Sequence, residues 1–416
     1  MKIHTVVPGE SIRSVAKLYG VPETRILFDN ELDPKHKLYP GQTLVIGEPT
    51  QTDSVRGGDT LDRIAARNDT DICALLQSNP HLAEGGLVPS QPLNIEYARE
   101  TARRLLVHAY TGTAGETVLR KRLPLVSVLS VQNAALLQNG RVRLPEAAAR
   151  TAALAREYRA LPILCIEAND AWGRHDTSAV TQIIASPLLT ERLIQSALDA
   201  VEAGGFAGIE LAFSPLPPDD APCLTELLSA LAARCEECGL YLLSPWQPNL
   251  PEADVLTLNR PDIADLVPIH SYIYDDEKTA SPAAPLDRAE AALAAAFVPH
   301  SAGKLLLGIP TFGIDYTKTA NGYRKRAADA ARLCGLQPPA AVTFDPVSRT
   351  PCAAYTEESH HFPLEHRLCY EDANSFVSKL GLADKLSLGG VSICSLAYDA
   401  PLLWQLLNQT YSVVKY

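Results

Sequence analysis

The chain has no apolar run near the roughly 20 residues that a bilayer-spanning helix requires; the stretch 291–297 is among the longer ones and falls far short. Its first residues, Met1 to Gly9, have no long apolar core after Lys2 and pass straight into folded-looking sequence, which reads as no secretion signal. Positive charge is in deficit: 37 basic residues stand against 48 acidic ones, a net charge of -11. That balance argues against nucleic acid or an anionic membrane surface as the main partner and leaves neutral ligands such as glycans open. Cofactor motifs are missing as well. His270, His360, His361 and His366 show no HExxH spacing, and there is no Gly-rich phosphate loop and no GxSxG, so neither metal nor cofactor is expected.

Nine cysteines in 416 residues, an odd number, do not make an exported disulfide framework. Cys165, Cys369 and Cys394 lie among apolar neighbours and are expected as small core residues. Cys235 and Cys238 have redox or metal spacing, yet no second such pair accompanies them, and on a helix ending at Gly239 they read as structural.

The length allows two or three domains, and residues 1–97 contain a gapless repeat of period 49. Val6, Gly9, Glu10, Ser11, Ile12, Val15 and Ala16 return as Val55, Gly58, Asp59, Thr60, Leu61, Ile64 and Ala65. Further on, Asn30, Leu38, Pro40, Gln42, Leu44 and Ile46 return as Asn79, Leu87, Pro89, Gln91, Leu93 and Ile95. Each copy predicts a βααβ unit. A short strand leads to a Gly-acid-hydroxyl turn, where Ser11 or Thr60 is suited to cap the next helix. In the first copy that helix buries Ile12, Val15, Ala16 and Tyr19 on one face.

These copies, 1–48 and 49–97, resemble LysM modules from end to end. The resemblance implies a shallow groove that binds N-acetylglucosamine units of peptidoglycan or chitin, and it nominates Gly9, Glu10, Ser11, Asn30 and Leu32, then Gly58, Asp59, Thr60, Asn79 and Leu82. For Ser11, Thr60, Asn30 and Asn79, capping a helix or closing a turn fits equally well. The second copy departs from the pattern at Ser90 and Pro92. Linked modules gain avidity on a polymeric glycan by raising effective concentration.

After a linker at about 96–103, eight apolar strand-like runs alternate with helical stretches: 105–110, 125–131, 163–167, 208–213, 241–245, 266–272, 305–311 and 390–395. This alternation predicts an α/β fold, a (β/α)8 TIM barrel over 98–416. The connection after the seventh run is too long for one loop. It is expected to be an α+β insertion at about 314–369, with a helix over 321–333 and paired strands near 353–357 and 366–370.

The fourth run, Gly208 to Ser214, sets Ile209, Leu211 and Phe213 against Gly208, Glu210, Ala212 and Ser214, so its small and polar side lines the barrel interior. It resembles the fourth strand of glycoside hydrolase family 18, whose pattern is Asp-Gly-x-Asp-x-Asp-x-Glu. In that family the last Glu protonates the leaving sugar oxygen while an Asp and a Tyr orient the substrate's own N-acetyl group. Here Ser214 stands for the acid, Ala212 for the preceding Asp and Glu210 for an earlier Asp. Glu210 lies about 13 Å below position 214 at ~3.3 Å per residue, too far to act there, and reads as an interior group held by hydrogen bonds. Tyr272 matches the acetamide-binding Tyr, whereas Cys394 replaces the Trp that floors the sugar subsite. Trp246 and Tyr274 fit either sugar stacking or rim packing.

Two LysM modules ahead of such a barrel are similar in order to spore-cortex-lytic and related germination hydrolases of endospore-forming bacteria. The resemblance implies a peptidoglycan or chitooligosaccharide partner, with other spore-envelope proteins a further candidate, and a barrel leaning to non-catalytic. Two alternatives stay open. One is an active N-acetylglucosaminidase using a displaced acid such as Asp275 or Asp276, which also read as a solvated acidic loop; the other is a protein-interaction platform. Cytosolic synthesis followed by deposition in the spore envelope is the expected route, with a cytoplasmic protein as its rival.

Overall fold

Buried apolar alternation in the central runs is realised as eight parallel strands. In the computed structural model the described residues are 1–83, 85–97, 103–168, 177–213, 216–246, 263–272, 280–297, 300–320, 322–329, 333–334, 336, 340–358 and 363–416. In chain order the barrel strands are Arg103–Tyr110, Val128–Leu136, Leu161–Glu167, Gly208–Ala212, Tyr241–Leu243, Val267–Ile269, Leu305–Pro310 and Gly390–Cys394. Each pairs in parallel with its neighbour and the eighth pairs with the first. The fifth and sixth meet through the parallel bridges Leu243–Leu266 and Trp246–Ile269, which closes the ring. Helices Ala148–Glu157, Pro187–Gly204, Ala221–Cys238, Leu286–Ala296, Ala373–Lys385 and Pro401–Thr410 cover the outside. Their buried faces, Leu193, Ile194, Ala197 and Val201 among them, meet the outward side chains of the strands in one continuous core.

The insertion departs from expectation at one element. The segment expected as a helix over 321–333 contains the strand Gly322–Ala328, antiparallel to Gly313–Thr319. Thr319 pairs with Gly322, and pairing along Gly313–Thr319 outweighs the helix propensity of the Arg, Lys and Ala residues that follow. Among the described residues the insertion is a five-stranded antiparallel sheet. A second correction concerns Cys369, which is buried as expected but is disulfide-bonded to Cys352 on the adjacent strand. The cross-strand register places these two residues directly opposite each other.

Each N-terminal repeat forms its own two-stranded sheet and helix pair, with small cores around Val15, Ile26 and Leu44 in the first and Ile64, Leu75 and Leu93 in the second. So little buried area leaves each unit dependent on its neighbours. Val45 of the first repeat joins the barrel core, and Thr43 Oγ1 accepts from the Ala373 N–H at 3.0 Å. Arg122, the last residue of helix Glu116–Arg122 and 1% exposed, donates to both oxygens of Glu31 at 2.7 and 2.8 Å and to Asp399, tying the first repeat to that helix and to the loop after the eighth barrel strand. The second repeat is held by Gln77 Nε2 donating to the Pro124 carbonyl at 2.8 Å.

The repeats also meet each other. Phe28 stacks on His81, and the Tyr97 hydroxyl donates to Asp29 Oδ1 at 3.2 Å. Burial raises the Asp29 pKa from 3.8 to about 6 despite opposing help from Arg25, Tyr97, Gly47 and Asn94. A raised carboxylate pKa means that stability is fully present below the unfolded value and is lost as pH rises through the folded one. From this group alone the loss between pH 4 and pH 7 is on the order of 2–3 kcal/mol. Asp29→Asn is therefore expected to stabilise the chain at pH 7 and to flatten the fall in melting temperature between pH 4 and 7. Asp372, also raised to about 6 by burial, keeps part of that slope. Thermal melts across pH 4–8 that superimpose for the two proteins would reject this assignment.

Candidate functional site

The barrel interior is built in layers from side chains that share a face. Glu210 on the fourth strand is fully buried. The Tyr110 hydroxyl donates to its Oε1 at 2.6 Å and the Ser130 hydroxyl donates to its Oε2. His108 Nε2 lies 3.6 Å from the same Oε2 and 2.8 Å from Ser130 Oγ. The other His108 nitrogen meets Ser392 Oγ at 2.9 Å, linking the first, second, fourth and eighth strands. Burial pushes the Glu210 pKa up, but hydrogen bonding from His108, its charge, and the Ser130 and Tyr110 hydroxyls together carry it below the ordinary carboxylate value. His270, enclosed beside this network, is lowered to about 4 by burial and is neutral at pH 7.

Above that layer lie Ala212, Tyr272, Cys394 and Trp246. Ala212 is half-buried at the end of the fourth strand. Tyr272 is 1% exposed and stacks on His270 with ring centroids 5.2 Å apart. Burial pushes the Cys394 thiol up to about 12, against a lowering hydrogen bond from Tyr272. Trp246 is buried in the wall where the fifth and sixth strands close the ring. Ser214, Tyr274, Asp275 and Asp276 lie outside the described residues.

One rim carboxylate went unnoticed in the sequence reading. Glu167 ends the third strand, opposite Ala212 in register. Gln132 Nε2 donates to its Oε1 at 2.8 Å and the Asn133 N–H donates to its Oε2 at 2.9 Å. A charged residue at the C-terminal end of a barrel strand was the available signal.

The nominated LysM side chains are engaged within their own modules. Gly9 and Gly58 hold φ of +88° and +79°, which a side chain would strain. Glu10 accepts from the Val7 N–H at 2.8 Å and pairs with His4 at 2.9 Å; Asp59 accepts from the Arg56 N–H and from Arg67. Ser11 and Thr60 cap their helices by accepting from the Ser14 and Arg63 N–H groups. Asn30 donates to the carbonyls of Ile26 and Val45 and accepts from the Val45 N–H; Asn79 repeats this with Leu75 and Asn94. Leu32 and Leu82 pack on the two small cores.

Asn30 is 2% exposed, so Asn30→Ala strands the buried N–H and carbonyl of Val45, whereas the Ile26 carbonyl keeps the backbone N–H of residue 30. At about 1–3 kcal/mol for each group left unsatisfied, the first module is expected to lose most of its stability. Proteolysis confined to residues 1–48 would report it; a variant as resistant as the parent would contradict the bracing role.

Comparison with known proteins places this geometry. The profile of glycosyl hydrolases family 18 matches residues 173–399, and that of the LysM domain matches residues 4–47 and 54–96. The chain is 24% identical over 441 residues, all of both chains, to YdhD of Bacillus subtilis (strain 168), provisionally named a sporulation-specific glycosylase. Among solved structures it is similar to the spore cortex-lytic enzyme SleL of Bacillus cereus, with a TM-score of 0.76, 22% identity, and coverage of 100% of this chain and 98% of that one. A chitinase from Chromobacterium violaceum aligns with a TM-score of 0.65 and 19% identity over 73% of this chain and 98% of its own.

Proposed function

Since the chain belongs to glycosyl hydrolases family 18 and carries two LysM domains, we propose that it binds N-acetylglucosamine-containing glycan of the spore or cell envelope and does not cut it. The tandem modules grip the polymer, and the barrel holds a segment of it in a cleft whose fourth strand presents no proton donor. The observation that carries this reading is the fourth strand. Its one carboxylate, Glu210, is sealed beneath the cleft by Tyr110, Ser130 and His108, and the next interior position is the methyl group of Ala212. A hydroxyl at position 214 is far too weak an acid to replace a carboxylic acid in protonating a glycosidic oxygen. The cortex-lytic name of SleL supports spore cortex peptidoglycan as the polymer and the spore envelope as the destination.

The full-length protein is expected to co-sediment with insoluble peptidoglycan and to leave muropeptides and chitooligosaccharides intact by mass spectrometry. Failure to sediment removes the binding reading. Cleaved products that vanish on Asp275→Asn or Asp276→Asn would establish the displaced-acid hydrolase instead.

A further inference from the structure

The barrel mouth retains a carboxylate that owes nothing to the fourth strand. Along the paired third and fourth strands Cys165 faces Glu210 and Glu167 faces Ala212. Paired residues of neighbouring parallel strands project to the same side from backbones about 4.8 Å apart, so Glu167 stands one interior layer above Glu210, toward the C-terminal rim. Glu210 is enclosed, whereas Glu167 is half-buried.

Its orientation is fixed from the second strand. Gln132, which donates to Glu167, accepts from the Gly112 N–H at 2.9 Å through its own carbonyl oxygen, and its backbone N–H donates to Thr111 Oγ1 at 3.1 Å. Asn133 holds a φ of +73°, at the irregularity that interrupts pairing between Val131 and Ala134, and its N–H donates to the second Glu167 oxygen. An ionised carboxylate is an acceptor only, so its partner in a ligand is an N–H or O–H group. Beside it the Ala212 methyl offers a small apolar surface. An acceptor next to a methyl-sized apolar patch matches a secondary amide whose nitrogen donates and whose acyl group is compact.

We propose that Glu167 anchors the barrel cleft by accepting the amide N–H of an N-acetylated hexosamine seated over Ala212. This deepens the glycan-holding reading and rests on it. The barrel then selects acetylated sugar through a strand-three carboxylate while lacking the strand-four acid.

Hydrogen–deuterium exchange on the full chain tests this with chitotetraose and with cellotetraose, which has the same linkage and no acetamido groups. Chitotetraose is expected to slow exchange at the rim segments 111–116 and 395–400 and separately at the LysM turns 7–11 and 56–60. Glu167→Ala should raise the chitotetraose concentration for half-maximal rim protection at least about tenfold and leave the LysM turns unchanged. Glu167→Gln, of the same shape without the charge, should fall between, and both variants should lose the rim's preference for chitotetraose over cellotetraose. Rim protection and preference unchanged in both variants would overturn the role of Glu167 while leaving glycan holding intact. A parent protein protected only at the LysM turns would overturn both.

Discussion

Glu210→Ala is expected to destabilise the barrel by about 3–5 kcal/mol, the range for removing one partner of a buried charged network. The substitution leaves the Tyr110 and Ser130 hydroxyls and His108 facing a dry cavity with their shared acceptor gone. Each unsatisfied donor costs about 1–3 kcal/mol, and surrounding strands cannot collapse to relieve it because they are hydrogen-bonded into a closed ring. Glu210→Gln keeps one acceptor oxygen and should lose only part of that energy. Urea denaturation measures both, and the ordering Gln milder than Ala is part of the expectation. Glycan binding by the folded Gln variant should match the parent. A stable Ala variant that had lost glycan binding would instead place Glu210 at the ligand.

The same residue shows how far the sequence could be read. Its parity with Ala212 on a strand of period two put it in the interior, and the separation of about 13 Å from position 214 kept it out of the chemistry; both inferences use only local geometry. The LysM repeats were legible for a similar reason, since a gapless period of 49 constrains every capping and core position twice. What stayed hidden depends on pairing between distant segments. Residues 322–328 carry helix-favouring Arg, Lys and Ala, and only the partner strand Gly313–Thr319 makes them extended. Cys369 looked like any core cysteine until cross-strand register brought Cys352 opposite it. Glu167 ends an apolar run as many strands end, and its place beside Ala212 follows from the alignment of the third strand on the fourth. Asn30 and Asn79 were recognised as recurring residues, yet their three-way bracing of helix to strand emerges only when Val45 and Asn94 arrive from 15 residues away.

If the missing carboxylates are all that separates this barrel from hydrolysis, restoring them should restore cutting. Ala212→Asp with Ser214→Glu is expected to release products from chitotetraose that the parent does not release, at a rate at least about 10²-fold above the parent's background, the lower end of what a positioned general acid contributes. Each single variant should fall well short. A glutamic acid at 214 without its neighbour lacks the charge that orients the substrate's acetyl group, and an aspartate at 212 alone supplies no proton to the leaving oxygen. The carboxylate introduced at position 212 would also sit directly across from Glu167 in register, and two like charges that close raise the proton affinity of one of them. At a chitotetraose concentration that saturates the cleft despite its weaker hold, activity of the double variant should therefore rise further when Glu167→Gln removes the competing charge. Mass spectrometry of timed digests decides the matter. A double variant that folds, binds chitotetraose and still releases nothing would mean that the cleft lost more than two carboxylates, with the absent Trp at Cys394 the next position to restore.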